Sequence, residues 1–237
     1  MTIDELIDEK ILELRRMGLM HENQVRAALL DVAKRAGEIV EPFVFEGRGP
    51  FIQLWKSQTR FHPFDCQPED IHIEDIAWGL ATECRFGGHC PFYTVAEHSI
   101  YVSQLMEGFA YPESIDRQLI GLLHDAAEAY LKDIPRPIKH TPAFAAYREL
   151  EKKIQDVIYR SFQLDHALEA SEQFLKWADS TMLATEKIEL FPEGHASNVM
   201  DGCLPPPQRM RLAKYIPQIA YNQFMAHYSN LIAARAL

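Results

Sequence analysis

From Ile71 almost to the C-terminus, apolar residues recur at the three- and four-residue spacing of an amphipathic helix. A chain patterned this way buries its apolar stripes by packing helix on helix. The expected fold class is therefore all-α, a helical bundle whose sites lie between facing helices. The spacing predicts helices over 71–86, 94–109, 117–133, 144–162, 171–190 and roughly 208–235. Thr94 followed by Glu97 makes a capping-box pattern, and Ser171 is the expected N-cap of the fifth helix. The string KDIPRPIKHTP, ending at Pro142, reads as a Pro-interrupted loop, and PPP at 205–207 starts the last connection.

Upstream, Ile3, Leu6, Ile7, Ile11, Leu12 and Leu14 form one helical set, and Val25, Ala28, Leu29, Val32 and Ala33 form a second. The run Glu46-Gly47-Arg48-Gly49-Pro50 breaks the pattern. The chain is thus expected to comprise an N-terminal helical extension, 1–48, and a main domain, 49–237. The extension would pack on the core or on a second copy of the chain, so a homodimer is one expectation. Between the break and Ile71, FIQLWKSQTRFHPFDCQPED is expected to hold a short strand or hairpin. Its Phe51, Trp55, Phe61 and Phe64 would cover a core.

Composition narrows the function classes. With 237 residues and 47% hydrophobic content, the chain can bury a sizeable core. A net charge of -10, from 34 acidic and 24 basic residues, argues against a surface for nucleic-acid polymers, which needs clustered Lys and Arg. Cys66, Cys84, Cys90 and Cys203 are too scattered for a disulfide framework, and the Cys84–Cys90 spacing does not suit a structural zinc knuckle. No apolar run reaches the ~18 residues that span a bilayer, so no membrane association is expected. The acidic N-terminus does not resemble a signal peptide, and the expected compartment is the cytoplasm.

One segment asks for chemistry. In GLLHDAAEAYLKDIPRPIK, starting at Gly121, His124 and Asp125 stand side by side, followed by Glu128 and Asp133. Ionisable groups in apolar surroundings are costly unless they are paired or hold an ion. On a continuous helix His124 and Asp125 diverge by about 100°, yet both reach a point in the groove beside their helix, and Glu128 shares the face of His124. His98 sits in a second apolar helix and Asp179 in a third. Two imidazoles and two carboxylates from three helices suit one divalent transition metal: Mn, Co, Fe, Ni or Zn. Such an ion acidifies bound water and polarises phosphoryl oxygens.

His98, then His124-Asp125, then a distant Asp179 resembles the H…HD…D pattern of the HD superfamily of metal-dependent phosphohydrolases. CRFGGHCPFYTVAEHS, LLHDAAEAYLKDIPRPIK and WADSTMLATE are similar to segments of the bacterial and phage members related to 5'-deoxynucleotidases. The resemblance covers roughly residues 50–200. It implies an HD-domain helical bundle with His98, His124, Asp125 and Asp179 as metal ligands. It implies that Glu128 orients or deprotonates the attacking water, and that Asp133 protonates the leaving oxygen or contacts the sugar. Arg85 and, more weakly, Lys139 match substrate-phosphate contacts. A guanidinium binds phosphate in a bidentate way, and Gly87-Gly88 let backbone approach a ligand. From the residues alone, Arg85 also fits a surface ion pair, Asp133 a helix stop and Lys139 a solvated cation, while Glu97 and Glu186 suit caps or ion pairs.

The expected function is hydrolysis of a nucleotide phosphoester, foremost a 5'-deoxynucleoside monophosphate. Alternatives are a dNTP triphosphohydrolase, an HD hydrolase of a cyclic dinucleotide or alarmone, and a non-enzymatic metal-stabilised binding module.

Overall fold

The structure, a computed structural model, describes residues 12, 47–107, 113–192 and 211–236. Chain contacts divide it into two compact units, Met1–Gly49 and Pro50–Leu237. The two helices expected near the N-terminus lie, except for Leu12, outside the described residues.

The second unit is mostly helical, with minimal strand content. It opens with a hairpin of β1 (Ile52–Gln53) and β2 (Arg60–Phe61), antiparallel with Ile52 opposite Phe61. Phe61 is buried and stacks on Tyr130 at 3.9 Å, whereas Phe51, Trp55 and Phe64 are exposed. Of the four aromatics expected to cover the core, only Phe61 is buried in it.

The longer helices are α1 (Ile73–Thr82), α2 (Val95–Leu105) and α3 (Glu113–Leu123). Two single turns follow, α4 (Glu128–Leu131) and α5 (Arg136–Lys139). The bundle is completed by α6 (Ala145–Ser161), α7 (Leu168–Leu190) and α8 (Pro217–Arg235). Helix α2 is central, packing on α1, α3, α7 and α8. It is buried nearly all round, so its polar residues are enclosed: Glu97, His98, Ser99 and Ser103 are all buried. Gly121 lets α3 lie directly against it, because a Cβ there would come within 2.7 Å of Met106 Sδ and 3.0 Å of Ser103 Cα. That close approach carries His124, one turn later, to the level of His98.

Several local expectations are corrected. The helix expected over 117–133 is interrupted: α3 stops at Leu123, and residues 124–127 form a tight turn before α4. Gln155 on α6 holds this break. Its Nε2 donates to Leu123 O at 2.7 Å and its Oε1 accepts from Ala127 N at 3.0 Å. One side chain thus satisfies two backbone groups that a continuous helix would have paired internally. The helix expected over 71–86 ends at Thr82, because Glu83–Arg85 runs extended beside Tyr93–Val95 (Arg85 N to Tyr93 O 3.0 Å, Val95 N to Glu83 O 3.1 Å). Arg85 therefore stands on a turn. Ser171 is a buried interior residue of α7, not its N-cap, and α8 begins only at Pro217, the N1 position where proline loses no bond.

The capping box at Thr94 is half formed. Thr94 Oγ1 accepts from Glu97 N at 3.0 Å. The Glu97 carboxylate turns instead to the segment before α8, accepting from Ala213 N (2.7 Å), Lys214 N (3.0 Å) and Tyr215 N (2.9 Å). Three backbone amides converge on one buried charge, so Glu97→Ala removes their acceptor. It is expected to lower stability by about 2–3 kcal/mol; urea unfolding measures this, and a loss near zero would contradict the assignment.

Candidate metal centre

His98 enters from the middle of α2 with its ring fully enclosed. Its Nδ1 lies 2.6 Å from Glu186 Oε1, a buried carboxylate on α7. A carboxylate accepts, so Nδ1 donates to it, and Nε2 is the ring nitrogen turned to the centre. His124, in the turn after α3, has the same arrangement: Nδ1 donates to Gly121 O at 2.8 Å. The two Nε2 atoms face each other at 3.3 Å. Asp179 Oδ1, from α7, lies 3.4 Å from His98 Nε2. Asp125 Oδ2 lies 3.1 Å from His124 Nε2 and 3.7 Å from His98 Nε2.

Two ring lone pairs and two carboxylate oxygens gathered this closely repel one another unless a cation or a proton stands among them. The donor set thus fits a divalent ion, and His98, His124 and Asp179, whose ligand atoms lie within 4.8 Å of one another, form a group that can hold one. The Nδ1 partners add the outer hydrogen bonds that orient metal-ligating histidines. The break at 124–127 places Asp125 here as well. Its placement comes from the turn held by Gln155, not from the groove geometry of a continuous helix.

The charges reinforce one another. Burial disfavours the His124 imidazolium, but Asp125 beside it outweighs that and raises the ring to about 9. Burial works against an ionised Asp179, yet hydrogen bonding to His98 brings it down to about 2. Asp125 is held well below the usual carboxylate range, because His124, His98 and Arg85 outweigh its burial.

The remaining sequence-predicted residues surround this centre. Arg85 Nε donates to Glu186 Oε2 at 3.0 Å, and its Nη1 stands 3.6 Å from Asp125 Oδ2. Phe86 and Gly87 take φ of 57° and 60°, folding the chain sharply after Arg85. Glu128 is buried, and Lys139 Nζ reaches its Oε1 at 3.1 Å. Burial together with Asp125 and Asp133 raises the Glu128 carboxyl well above its usual value. Asp133 follows Lys132, whose φ of 79° and ψ of 150° suit glycine. Tyr147 Oη holds that turn by donating to Lys132 O at 2.6 Å. Burial raises the half-buried Asp133 carboxyl despite Arg85 nearby. A cavity of about 290 Å³ opens beside His124, Asp125 and Glu128 and is walled by Lys139, Arg148 and Glu151. Cys66, Cys84 and Cys90 form no disulfide and are not members of the metal group.

Glu186, read from the sequence as a cap or ion-pair residue, forms the ion pair with Arg85 and also holds His98; Gln155 escaped the sequence reading. Glu186 lies seven residues after Asp179, two helical turns on, so their shared face was a usable signal. Gln155 has no local signature, because its partners are 28 and 32 residues away.

The chain is 36% identical over 188 residues to YfdR, an uncharacterized protein of Escherichia coli K12, in an alignment covering 78% of this chain and 97% of that protein. It belongs to the YfdR family. A Rhodobacter capsulatus protein, also uncharacterized, is 37% identical over 154 residues, covering 62% of this chain and 78% of its own length. No protein-family model matches the chain. No helix among the described residues is long and apolar enough to cross a membrane. For this YfdR relative, what can be carried forward is a helical fold and a His/His/Asp group able to hold metal.

Metal affinity tests the outer hydrogen bonds. Glu186→Gln is expected to weaken divalent-ion binding, measured by calorimetry, by about 10–100-fold; unchanged affinity would contradict the role given to Glu186. Binding must also displace the proton that His124 holds below about 9, so affinity rises with pH from 6 to 9 and falls as pH drops. A flat profile would contradict the protonation state assigned to His124.

Proposed function

We propose that the protein is an HD-superfamily phosphohydrolase that cleaves nucleotide phosphoesters, foremost 5'-deoxynucleoside monophosphates. The observation that carries this reading is the convergence of His98, His124, Asp125 and Asp179 with a guanidinium and two further carboxyls around one centre. A purely structural metal site has no need of the additional acids, buried Glu128 and half-buried Asp133.

Each residue has a role that the chemistry requires. Phosphoryl transfer depends on positioning and on positive charge at the equatorial oxygens. A divalent ion in the centre supplies Lewis-acid polarisation of a phosphoryl oxygen and lowers the pKa of a water. Arg85, anchored through Nε on Glu186, brings its Nη1 edge to the centre, where it neutralises charge developing on phosphorus-bound oxygens. Glu128 keeps Oε2 without a protein partner. Its raised pKa suits a base that accepts the proton of the attacking water near neutral pH. Asp133 is the acid assigned to protonate the leaving alkoxide as the P–O bond breaks. Water and phosphoester become inorganic phosphate and a nucleoside, with one proton taken at Glu128 and one delivered by Asp133.

The balance of charge favours a single phosphate. Of the three cations lining the cavity, Arg148 donates to the backbone carbonyls of Lys139 and Thr141, Lys139 is paired with Glu128 and Glu151, and Lys152 is paired with Asp156. A triphosphate would require further cations there.

The test is phosphate release from a panel of nucleotides by the purified chain loaded with Mn or Co. Deoxynucleoside monophosphates are expected to be hydrolysed, and Glu128→Gln to lower kcat by about 10²–10⁴-fold with metal still bound. No release from any nucleotide by metal-loaded protein would overturn the proposal.

A further inference from the structure

Resting on the hydrolase reading, we infer that Lys139 is a positioning residue for Glu128, seated by Glu151, and that it does not bind the substrate phosphate. Its Nζ lies 3.1 Å from Glu128 Oε1 and 2.5 Å from Glu151 Oε1. The ammonium thus bridges two enclosed carboxylates; the side chains of Lys139, Glu128 and Glu151 are only 18%, 7% and 17% exposed. One N–H donates to Glu128, and Glu151 stands against the ammonium as an ion pair. A phosphate dianion reaching the remaining N–H of Lys139 would lie beside both carboxylates and be repelled by them.

The root of the side chain is held as firmly as its tip. Lys139 closes the single-turn helix α5, and Arg148 donates to its carbonyl and, at 2.8 Å, to that of Thr141. Arg148 and Glu151 are three residues apart on α6 and so share a face. One helix therefore grips both the backbone and the ammonium of Lys139. The consequence falls on Glu128. With Oε1 tied to Lys139, the carboxylate cannot swing, and Oε2, buried without a partner, is the oxygen left for a proton. Gln155, one turn after Glu151 on α6, fixes the Leu123–Ala127 turn from the same side. Base and turn are thereby referenced to one rigid element, as a preorganised site requires.

The experiment compares wild type with Lys139→Met, Lys139→Arg and Glu151→Gln in the full Mn-loaded chain. Three quantities are read: kcat and KM for a deoxynucleoside monophosphate, Mn affinity, and affinity for inorganic phosphate by calorimetry. Lys139→Met is expected to lower kcat about 10²-fold, with KM, Mn affinity and phosphate affinity retained. Glu151→Gln should lower kcat in the same direction, and Lys139→Arg, which keeps a cation beside Glu128, should recover much of the loss. Weakened phosphate affinity in Lys139→Met with Mn affinity intact would make Lys139 a phosphate ligand and overturn the inference. That readout needs no turnover, so it decides the matter even if the hydrolase reading fails. Should Lys139→Met not fold, as lost Mn affinity would show, Glu151→Gln decides: unchanged kcat overturns the inference, and reduced kcat with phosphate affinity kept supports it.

Discussion

A single carboxylate, that of Glu186, ties the centre together. It is fully buried and meets two groups at once, His98 Nδ1 at 2.6 Å and Arg85 Nε at 3.0 Å. Burying an ionised carboxylate is affordable only with such partners; removing one member of a buried pair typically costs about 3–5 kcal/mol. Because Glu186 is on α7, His98 on α2 and Arg85 on the turn after α1, the contact fixes three pieces of chain relative to one another. It also settles the His98 tautomer and aims Nε2 at His124 and the two aspartates. Burial opposes an ionised Glu186, and Arg85 followed by His98 outweighs it.

The same economy recurs around the site. Polar groups enclosed by the bundle are matched by side chains from distant segments. Glu97 gathers three amides of 213–215, Gln155 completes the broken helix at 123–127, and Arg148 closes the Lys139–Thr141 carbonyls. Ser103 Oγ donates to Gln118 O at 2.8 Å and accepts from His227 at 2.9 Å, which joins α2, α3 and α8. Apolar burial holds the helices together, and these polar clamps set their register. The register is what brings residues from two helices and the turn after α3 to within a few ångströms of one point.

Much of this was legible in the chain. Period-3.6 patterning is a strong signal where stripes are long, and it located α6 and α7 to within a few residues. The motif residues were legible because their chemistry is conspicuous: His124, Asp125 and Glu128 have no place in an apolar run without a partner. What could not be read were the interruptions. Nothing between Arg117 and Asp133 breaks helical periodicity, yet the helix stops at Leu123, because Gln155 supplies from α6 the bonds that make a turn tolerable there. Likewise Glu97 fits a capping box locally, and only the tertiary fold presents it with three amides to prefer. Long-range polar partners leave no trace in local pattern, so helix ends and partners such as Gln155 emerge only from the packed chain.

The central claim is that His98, His124 and Asp179 form a group able to hold one divalent ion, with Asp125 proposed as a fourth ligand. Anomalous diffraction from crystals of the Mn-loaded protein tests it most directly. The account predicts a single strong peak bounded by the two Nε2 atoms and the two aspartate carboxylates, and its loss in Asp179→Ala. A peak elsewhere, or none between these four side chains in well-ordered crystals, would contradict it.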